Sequence, residues 1–268
     1  MSKVVFITGI SSGFGKHTAT LLAREGYKVY GISRRDIEAE EGIRVIKADV
    51  TDANSIKQAV ESVLQVEDGI DVLINNAGMG IAGSIEETSP DEVRLQMDTN
   101  FYGVLHTIQA VLPSMREKRN GLIITISSIG GLMGLPYVGY YATSKFALEG
   151  LCESLYMEVK PFNVKVVLIN PGDFHTNFTA SRKIITRATA DSPYDNYFRK
   201  TLATIEKDEL SGLSPEKLAC QLLKIIEKKK PKARYVVATF EQKLAVVLKY
   251  LLPDAWFFSI LSSHYKIK

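Results

Sequence analysis

The twelve residues that most constrain the architecture of this chain are Val4-Val5-Phe6-Ile7-Thr8-Gly9-Ile10-Ser11-Ser12-Gly13-Phe14-Gly15. The first four form an apolar, mostly β-branched run, which is typical of a strand buried on both faces of a parallel sheet. Glycines follow at once, and helical spacing of apolar residues begins after them. A strand, a glycine-rich turn and a helix in this order predict a βα unit at the start of the chain.

The glycine-rich turn is suited to binding the pyrophosphate of a dinucleotide. Glycine permits positive φ and close approach of backbone N–H groups, and the N-terminus of the following helix favours negative charge. The spacing is G-x-x-x-G-x-G, which is neither the G-x-G-x-x-G of many dinucleotide folds nor a P-loop. A tight turn that binds no ligand is the alternative. The candidate cofactor residues of this turn are Gly9, Ser11, Ser12, Gly13, Phe14 and Gly15.

Six more short apolar runs along the chain predict further strands. Helical patterns separate most of them, and the pattern over residues 91–118 has a kink or break near Asn100. Strands that alternate with helices form right-handed βαβ units. We therefore predict an α/β fold, a Rossmann-type doubly wound parallel sheet of about seven strands with helices on both faces. The six runs occupy residues 28–32, 44–48, 72–74, 122–126, 164–169 and 235–237.

The composition limits the class of protein. A chain of 268 residues suits one domain over residues 1–268 better than two. Lys and Arg number 33 against 30 Asp and Glu, and the net charge of +3 does not indicate a nucleic-acid partner. Cys152, Cys220 and the four histidines show no ligand spacing, so neither a disulfide framework nor a metal site is expected. The N-terminus does not read as a signal peptide, and we expect a cytoplasmic protein.

The end of the second predicted strand indicates which dinucleotide is bound. An acidic residue there would bond the ribose 2′-hydroxyl of NAD, whereas this chain has Ser33, Arg34 and Arg35. Because the guanidinium group matches phosphate geometry, these residues favour NADP(H) as the cofactor. The alternative is a solvated turn, and Asp36 follows closely.

Two later turns are also expected beside the cofactor. Asp49 and Val50 end the third predicted strand, where they are placed to contact the adenine. The turn after the fourth strand is expected to pack beside the cofactor and to brace the sheet. Its candidate cofactor residues are Asn76, Ala77 and Gly78.

A Tyr-x-x-x-Lys pair stands in the helical pattern of residues 140–160. Tyr141 and Lys145 are four residues apart and so share one helix face. The lysine cation is expected to lower the pKa of the phenol from its usual ~10 and make it a usable acid and base. Ser128 ends the fifth strand, at the edge where ligands bind in such sheets. Asn100 is a polar residue at the break in the preceding helical pattern.

These pieces occur in one order over nearly residues 1–180, and together they resemble the short-chain dehydrogenase/reductase family of the single-domain type. The resemblance implies that Tyr141 exchanges a proton with the substrate oxygen, which Ser128 hydrogen-bonds. It implies that Lys145 holds the nicotinamide ribose and tunes Tyr141, and that Asn100 holds a water in a proton relay. Ser127, the neighbouring hydroxyl, ranks second to Ser128. Residues implied to flank the nicotinamide amide are Pro171, Gly172 and Thr176.

A narrower resemblance indicates the 17β-hydroxysteroid and retinol dehydrogenase branch of that family. It is carried by residues 130–136, 144–155 and 230–235, and it implies a lipophilic alcohol or ketone as substrate. A homodimer or homotetramer is also expected, because helices like those near residues 101–118 and 140–160 commonly pair across a two-fold axis in the family.

Two segments depart from the alternation of strands and helices. Residues 173–213 are polar and irregular with interspersed aromatic side chains, and we expect a substrate loop or lid there. Residues 240–268 are apolar but are interrupted by Lys249, Pro253 and Asp254, which makes a poor membrane span. Core, lid or dimer packing is the favoured role of this second segment, and contact with a membrane surface is the alternative.

The combined prediction is an NADP(H)-dependent oxidoreductase that interconverts a hydroxyl and a carbonyl by hydride transfer. Its expected substrate is small and lipophilic, of a steroid-, retinoid- or lipid-like kind. Two alternatives remain open. One is a catalytically silent NADP(H)-sensing regulatory or scaffold protein on the same fold, and the other is a membrane-associated keto-lipid reductase.

Overall fold

The structure, a computed structural model, describes residues 2–38 and 40–267 of the chain. Within those residues it has nine strands, which are β1 (Val4–Thr8), β2 (Lys28–Ser33), β3 (Ile43–Lys47), β4 (Val72–Asn75), β5 (Ile81–Ala82), β6 (Gly121–Ile126), β7 (Val164–Pro171), β8 (Lys183–Ile184) and β9 (Arg234–Val237). The same described residues form ten α-helices, which are α1 (Gly13–Arg24), α2 (Ala53–Leu64), α3 (Pro90–Met97), α4 (Gly103–Glu117), α5 (Gly139–Glu158), α6 (Phe178–Ser181), α7 (Asp195–Leu210), α8 (Pro215–Glu227), α9 (Phe240–Leu251) and α10 (Asp254–His264).

Seven of the strands form one parallel sheet in the order β3-β2-β1-β4-β6-β7-β9, which confirms the predicted Rossmann-type architecture. The chain first builds outward from β1 to β3 and then returns to the other side of β1 with β4. Neighbouring strands β1 and β4 pair in register, with Val5 opposite Val72 and Ile7 opposite Ile74. In open α/β sheets, ligands bind outside the carboxyl ends of the strands where the order reverses. That place is the edge between β1 and β4.

Helices cover both faces of the sheet, as predicted. On one face, Phe6 and Leu73 belong to a core that α2, α4 and α5 complete. On the opposite face, Ile7 and Ile74 pack with residues of α1 and α8. Successive side chains of a strand point to opposite faces, so a strand that is covered on both sides needs an uninterrupted apolar run. All five residues of β1 are buried for this reason.

The helical pattern over residues 91–118 divides at the predicted position. A π-helical turn occupies Asp98–Tyr102, between the end of α3 and the start of α4. Such a turn shifts the register of the side chains and is frequent at functional sites. It buries Thr99 and Asn100 completely or nearly so.

The prediction that residues 173–213 are irregular is wrong for much of that segment. Helix α7 fills sixteen of these residues and buries Phe198, Thr201 and Ile205. Only one narrow stripe of the helix is fully buried, and most of its other residues are polar. The apolar periodicity that announces a helix is therefore weak here.

The apolar segment after residue 240 forms two helices at the edge of the cavity described below. Thr239 and Gln242 exchange hydrogen bonds in a capping box that starts α9. Phe257 of α10 is buried, whereas Leu251 is 73% and Trp256 66% exposed. Over the described part of the chain, no helix is both long enough and apolar enough to cross a membrane.

Candidate active site

A continuous cavity of about 820 Å³ opens at the carboxyl edge of the sheet. The β1–α1 turn and the residues after β2, β4 and β6 form one part of its wall. The segment after β7, together with α7, α9 and α10, forms the other part. The glycine-rich turn, the predicted catalytic residues and both segments that interrupt the βα alternation therefore face one chamber, of the size that a ligand site typically has.

The glycine-rich turn has the backbone geometry that its residues favour. Gly9 and Gly13 have φ values of 74° and 55°, in the left-handed region that suits glycine. Gly15 does not line the cavity. A Cβ at Gly15 would overlap the carbonyl oxygen of Gly9, so this glycine allows α1 to pack closely on the turn. The residues of the turn that do line the cavity are Gly9, Ser11, Ser12, Gly13 and Phe14.

Hydrogen bonds brace this turn against the turn after β4. Thr8 Oγ1 accepts from the backbone N–H groups of Asn76 and Ala77, at 3.0 and 2.9 Å. Asn76 Nδ2 donates to the carbonyl oxygens of Thr8 and Gly9, at 2.9 and 3.1 Å. The predicted bracing role of this turn thus has a structural basis. Asn76, Ala77 and Gly78 all line the cavity.

The two arginines after β2 are exposed and border the same cavity. Arg35 Nη2 lies 3.4 Å from Ser11 Oγ, so its guanidinium reaches toward the glycine-rich turn. Ser33 Oγ donates to the carbonyl oxygen of Arg35 at 2.7 Å and so closes the turn. Asp36 is directed to Lys47 Nζ at 2.7 Å. The nearest acidic residue is therefore paired on the outside of the turn.

Asp49 and Val50 differ in where their side chains lie. Val50 lines the cavity, whereas Asp49 does not. Asp49 Oδ1 accepts hydrogen bonds from the backbone N–H and the hydroxyl of Thr51, both at 2.9 Å. This carboxylate shapes the turn into α2, and its contact with the adenine stays a prediction.

Tyr141, Lys145 and Ser128 come together at the cavity wall. Lys145 is only 5% exposed, and its Nζ donates to the carbonyl oxygen of Ile126 at 2.9 Å. The ammonium lies 5.7 Å from the centroid of the Tyr141 ring. Ser128 Oγ accepts from the backbone N–H of Gly130 at 3.0 Å, which leaves the serine O–H to donate elsewhere.

The pKa of Tyr141 moves in the direction opposite to the expected one. Burial raises it to about 12, and the hydrogen bond with Ser128 opposes this rise only in part. Burial also lowers the pKa of Lys145 to about 8, because an ammonium loses hydration in the protein interior. Desolvation is therefore the largest influence on the pKa of each group. Tyr141 remains protonated at neutral pH, as a proton donor to a carbonyl oxygen must be.

Asn100 is fully buried in the π-helical turn and does not line the cavity. Its Oδ1 accepts from the backbone N–H of Met79 at 2.9 Å, and its Nδ2 donates to the Met79 carbonyl and to Ser144 Oγ, both at 3.0 Å. These bonds hold the segment after Gly78 against α5. In this structure Asn100 acts on the site by positioning that backbone, and its role in a water relay stays a prediction.

The two neighbouring serines have different environments. Ser127 Oγ donates to the buried carboxylate of Glu149, which also pairs with Arg234 of β9. Ser128 contributes the hydrogen bond that acts on Tyr141. The ranking of Ser128 before Ser127 agrees with this geometry, because the Ser127 hydroxyl is committed to the ion pair.

The segment after β7 brings the remaining predicted residues, Pro171, Gly172 and Thr176, to the cavity wall. It also brings polar residues for which sequence reasoning assigned no role. Asp173 is the one of these residues that the sequence could have indicated, because it directly follows Pro171 and Gly172 at the carboxyl edge of the sheet. The others come from distant elements and join it only in the folded chain. They are Arg182, Asp208, Glu209, Gln242 and His264.

Asp173 is expected to make stability depend on pH. Burial, followed by the charges of Glu209 and Asp208, raises its pKa from an ordinary 3.8 to about 7. The folded chain therefore binds a proton between those values that the unfolded chain has released, so stability falls as the pH rises from about 4 to about 7. We expect Asp173→Asn to raise the melting temperature at pH 8 and to leave it nearly unchanged at pH 4.

Asp191→Asn, at an exposed position, is the control. Equal shifts at both pH values would contradict the effect.

Comparisons with known proteins agree with this geometry. A family model described as short chain dehydrogenase matches residues 3–184. The 3-ketodihydrosphingosine reductase of Bacteroides thetaiotaomicron is 47% identical over 252 residues, covering 94% of this chain and 94% of that protein. Human 17-beta-hydroxysteroid dehydrogenase type 1 is 34% identical over 253 residues, covering 87% and 76%. The NADPH-dependent 3-dehydrocapnine reductase of Ornithobacterium rhinotracheale is 32% identical over 261 residues, covering 92% of each.

A solved structure extends the likeness to three dimensions. The crystal structure of a short-chain dehydrogenase from Streptomyces avermitilis superposes with a TM-score of 0.84 at 29% sequence identity. The superposition covers 100% of this chain and 97% of that one. The likeness therefore includes α7, α9 and α10, which lie beyond the residues that the family model matches.

Proposed function

The chain belongs to the short-chain dehydrogenase family and is an oxidoreductase, and we propose that it uses NADPH to reduce the ketone of a long-chain, lipid-like substrate. The observation that carries the proposal is one continuous cavity with the glycine-rich turn at one end and, at the other, a wall that includes apolar side chains of α7 and α10. The protonated Tyr141 lies in the wall of that same cavity. The regulatory or scaffold alternative leaves this assembled proton donor without a use.

The residues of the cavity fit a dinucleotide. Within the described part of the chain, and apart from the adjoining backbone, a Cβ placed at Gly13 would have only Thr176 within 4 Å, at 3.8 Å, so the turn leaves open space where a side chain would project. We expect the turn and the N-terminus of α1 to hold the pyrophosphate. Lys145 is expected to hold the nicotinamide ribose, and Pro171, Gly172 and Thr176 are expected to flank the nicotinamide amide. When bound, this cofactor supplies the hydride.

The protein's own contribution to the reaction is the proton. The Tyr141 hydroxyl donates it to the substrate carbonyl oxygen, which becomes the product hydroxyl. The Ser128 O–H donates a second hydrogen bond to that oxygen as negative charge develops on it. The backbone amide of Gly130 fixes the serine oxygen at 3.0 Å, so this donor is oriented in advance. Lys145 places positive charge 5.7 Å from the Tyr141 ring, which eases the loss of the proton.

Arg34 and Arg35 support NADPH rather than NADH. Both border the cavity, and the Asp36 carboxylate that follows them is paired with Lys47 at 2.7 Å. An arginine fork forms strong, charge-assisted hydrogen bonds with phosphate oxygens. A relative that is similar over 92% of this chain is named for its NADPH dependence, which agrees with the same choice.

The other end of the cavity supports a long apolar substrate. Apolar side chains from three separate parts of the chain line one side of it. They include Met133, Leu135, Val138, Ile205, Phe257 and Leu261. A relative at 47% identity is named for reduction of 3-ketodihydrosphingosine, a long-chain ketone. A ketone of this type combines an apolar chain for this wall with a carbonyl for Tyr141.

The assay that tests the function follows NADPH absorbance with 3-ketodihydrosphingosine as substrate. We expect turnover in the ordinary enzymatic range of about 1–10³ s⁻¹. A steroid ketone and all-trans-retinal serve as comparison substrates. A preference for the steroid or the retinoid would reject the long-chain assignment while retaining the reaction class, and no turnover of any of the three would reject the proposal.

A second candidate is that the same reaction takes place at a membrane surface. The observation that favours it is the outer face of α9 and α10, where Leu251 and Trp256 are among the most exposed apolar side chains. The inner side of these helices lines the substrate end of the cavity. A lipid could therefore pass from a bilayer to the cavity along one structural unit.

The double change Leu251→Ser and Trp256→Ser is expected to reduce co-sedimentation with phosphatidylcholine–phosphatidylglycerol liposomes several-fold. The matched control is Val66→Ser and Ile85→Ser, which removes apolar side chains of similar exposure far from these helices. Equal sedimentation of the wild type and both variants would exclude the membrane candidate.

The oligomer remains a proposal. Tyr102, Phe146, Tyr156 and Met157 are exposed apolar or aromatic side chains on the π-helical turn and α5. They support pairing of two chains through α4 and α5, as the family resemblance implies.

A further inference from the structure

The part of the cavity wall formed by the segment after β7 and by α7 carries a group of charged side chains that the proposed proton transfer does not use. We call Asp173, Arg182, Asp208 and Glu209 the polar cluster, and all four line the cavity. Backbone bonds bring them together. The N–H of Leu213 donates to the Asp173 carbonyl oxygen at 2.9 Å, which pins the chain just after α7 against the chain just after β7.

Arg182 is the best buried member of the polar cluster. Its side chain is 3% exposed and pairs through Nη2 with Glu209, whose other carboxylate oxygen accepts from Thr179 Oγ1 at 2.7 Å. Arg182 Nη1 is buried and has no hydrogen-bond partner within the described residues. Leaving a buried donor unsatisfied is costly, and most for a charged group. Nη1 itself has no surface open to the cavity, but Arg182 lines the cavity, so a small shift of its side chain would let a ligand acceptor satisfy this donor.

The polar cluster borders the proton donor. The Arg182 guanidinium lies 5.8 Å from the centroid of the Phe178 ring, and that ring lies 5.6 Å from the ring of Tyr141. The charges of Glu209, Arg182 and Asp173 all act on Tyr141. Tyr141 and the polar cluster therefore line neighbouring parts of the cavity wall, with the Phe178 ring between Arg182 and Tyr141.

The polar cluster has an excess of negative charge. It contains three carboxylates and one guanidinium, of which Glu209 pairs with Arg182, and His264 Nε2 lies 2.9 Å from Asp208. The raised pKa of Asp173 reflects the same excess, because Glu209 and Asp208 disfavour its ionisation. Among the described residues, no three His, Cys, Asp or Glu side chains are grouped closely enough to hold a metal ion. A ligand ammonium does not require a close shell of oxygen ligands and would balance this charge from within the cavity.

We propose that the polar cluster binds a protonated amine next to the substrate's ketone, and that Arg182 Nη1 donates to a neighbouring substrate oxygen. Asp173, Asp208 and Glu209 supply the negative charge for the amine. The ligand class is a long-chain α-amino ketone with a polar oxygen on the adjacent carbon. This inference rests on the proposed reductase function and adds the reason why an amino ketone is preferred over a plain one.

The test compares three ketones of equal chain length with NADPH. They are the free 2-amino-3-ketone 3-ketodihydrosphingosine, its N-acetyl derivative, and octadecan-3-one. The wild-type enzyme is expected to show kcat/KM about 10–10²-fold higher for the free amine than for either neutral ketone. Asp173→Asn and Glu209→Gln are expected to remove most of this preference, chiefly through KM for the amine, with little change for octadecan-3-one.

Glu206→Gln is the matched control, because it removes the same charge from α7 at a position outside the cavity wall. It is expected to retain the preference for the amine. Equal kcat/KM for all three ketones in the wild type would overturn the inference and leave the reductase function intact. Equal losses on amine and neutral ketones in the variants would also overturn it, since they would indicate a purely structural role. No turnover of any ketone would reject the reductase function and this inference with it.

Discussion

Replacing Tyr141 by phenylalanine is expected to lower kcat for ketone reduction by at least about 10²–10⁴-fold, the usual contribution of a positioned general acid. The change removes only the hydroxyl that donates the proton. The ring remains and keeps its contact with Phe178, whose centroid is 5.6 Å away. Because the buried hydroxyl is protonated at neutral pH, its loss removes the donor and leaves the charge of the site unchanged. Steady-state kinetics at pH 7 measure the effect.

Tyr140→Phe is the matched control for this experiment. Tyr140 is the preceding residue on α5, and its hydroxyl lies 3.4 Å from the carbonyl oxygen of Ile85, outside the cavity wall. We expect that variant to retain nearly full kcat. NADPH binding, followed by fluorescence, should be preserved in both variants. Full turnover by Tyr141→Phe would remove this residue from the mechanism.

Exchanging both Arg34 and Arg35 for serine is expected to lower kcat/KM for NADPH by about 10²–10³-fold. Each lost arginine removes charge-assisted hydrogen bonds to the 2′-phosphate, worth about 1.5–3 kcal/mol each. The value for NADH should change only a few-fold, because that cofactor presents a hydroxyl at the same position. Parallel kinetics with the two cofactors at fixed ketone concentration measure the ratio.

Arg24→Ser is the control for the loss of positive charge, since Arg24 is exposed near the end of α1 and does not line the cavity. It should leave the ratio of the two cofactors unchanged. A parallel fall with NADPH and NADH in the double variant would show that the arginines hold a part common to both cofactors. A wild-type preference for NADH would contradict the assignment of NADPH.

The sheet and the cofactor edge were predictable because their signals are local. The buried run that begins at Val4 must be apolar throughout, since both of its faces are covered. The positive φ values of Gly9 and Gly13 restrict those positions strongly toward glycine. The break near Asn100 was visible because a π-helical turn interrupts the apolar periodicity of the two helices that it joins.

Other features depend on contacts that sequence spacing does not show. Arg182 and Glu209 are far apart in the chain and meet only because the segment after β7 folds back on α7. The pKa of Tyr141 depends on how deeply the folded chain buries the phenol, which the Tyr-x-x-x-Lys pattern does not reveal. Asp49 lies just after β3, as predicted, but its carboxylate accepts hydrogen bonds from the backbone N–H and the hydroxyl of Thr51.

Helix α7 shows a third limit of prediction from the sequence. Helix α7 could not be predicted from apolar periodicity, because its buried side is short of apolar residues. Its buried residues are Phe198, Thr201 and Ile205. Such a helix is held by its neighbours, for example by the hydrogen bond from Thr201 Oγ1 to the Tyr265 carbonyl oxygen at 3.1 Å. Tertiary contacts thus override weak local preferences in this segment.

The most direct measurement is a transfer experiment with NADPH that carries deuterium at the reactive C4 position, in the presence of 3-ketodihydrosphingosine. The account predicts a product alcohol with one deuterium on the former ketone carbon, detected by mass spectrometry, and no deuterated product from Tyr141→Phe over the same period. A product alcohol without deuterium, or unchanged ketone after prolonged incubation with the wild-type enzyme, would contradict it.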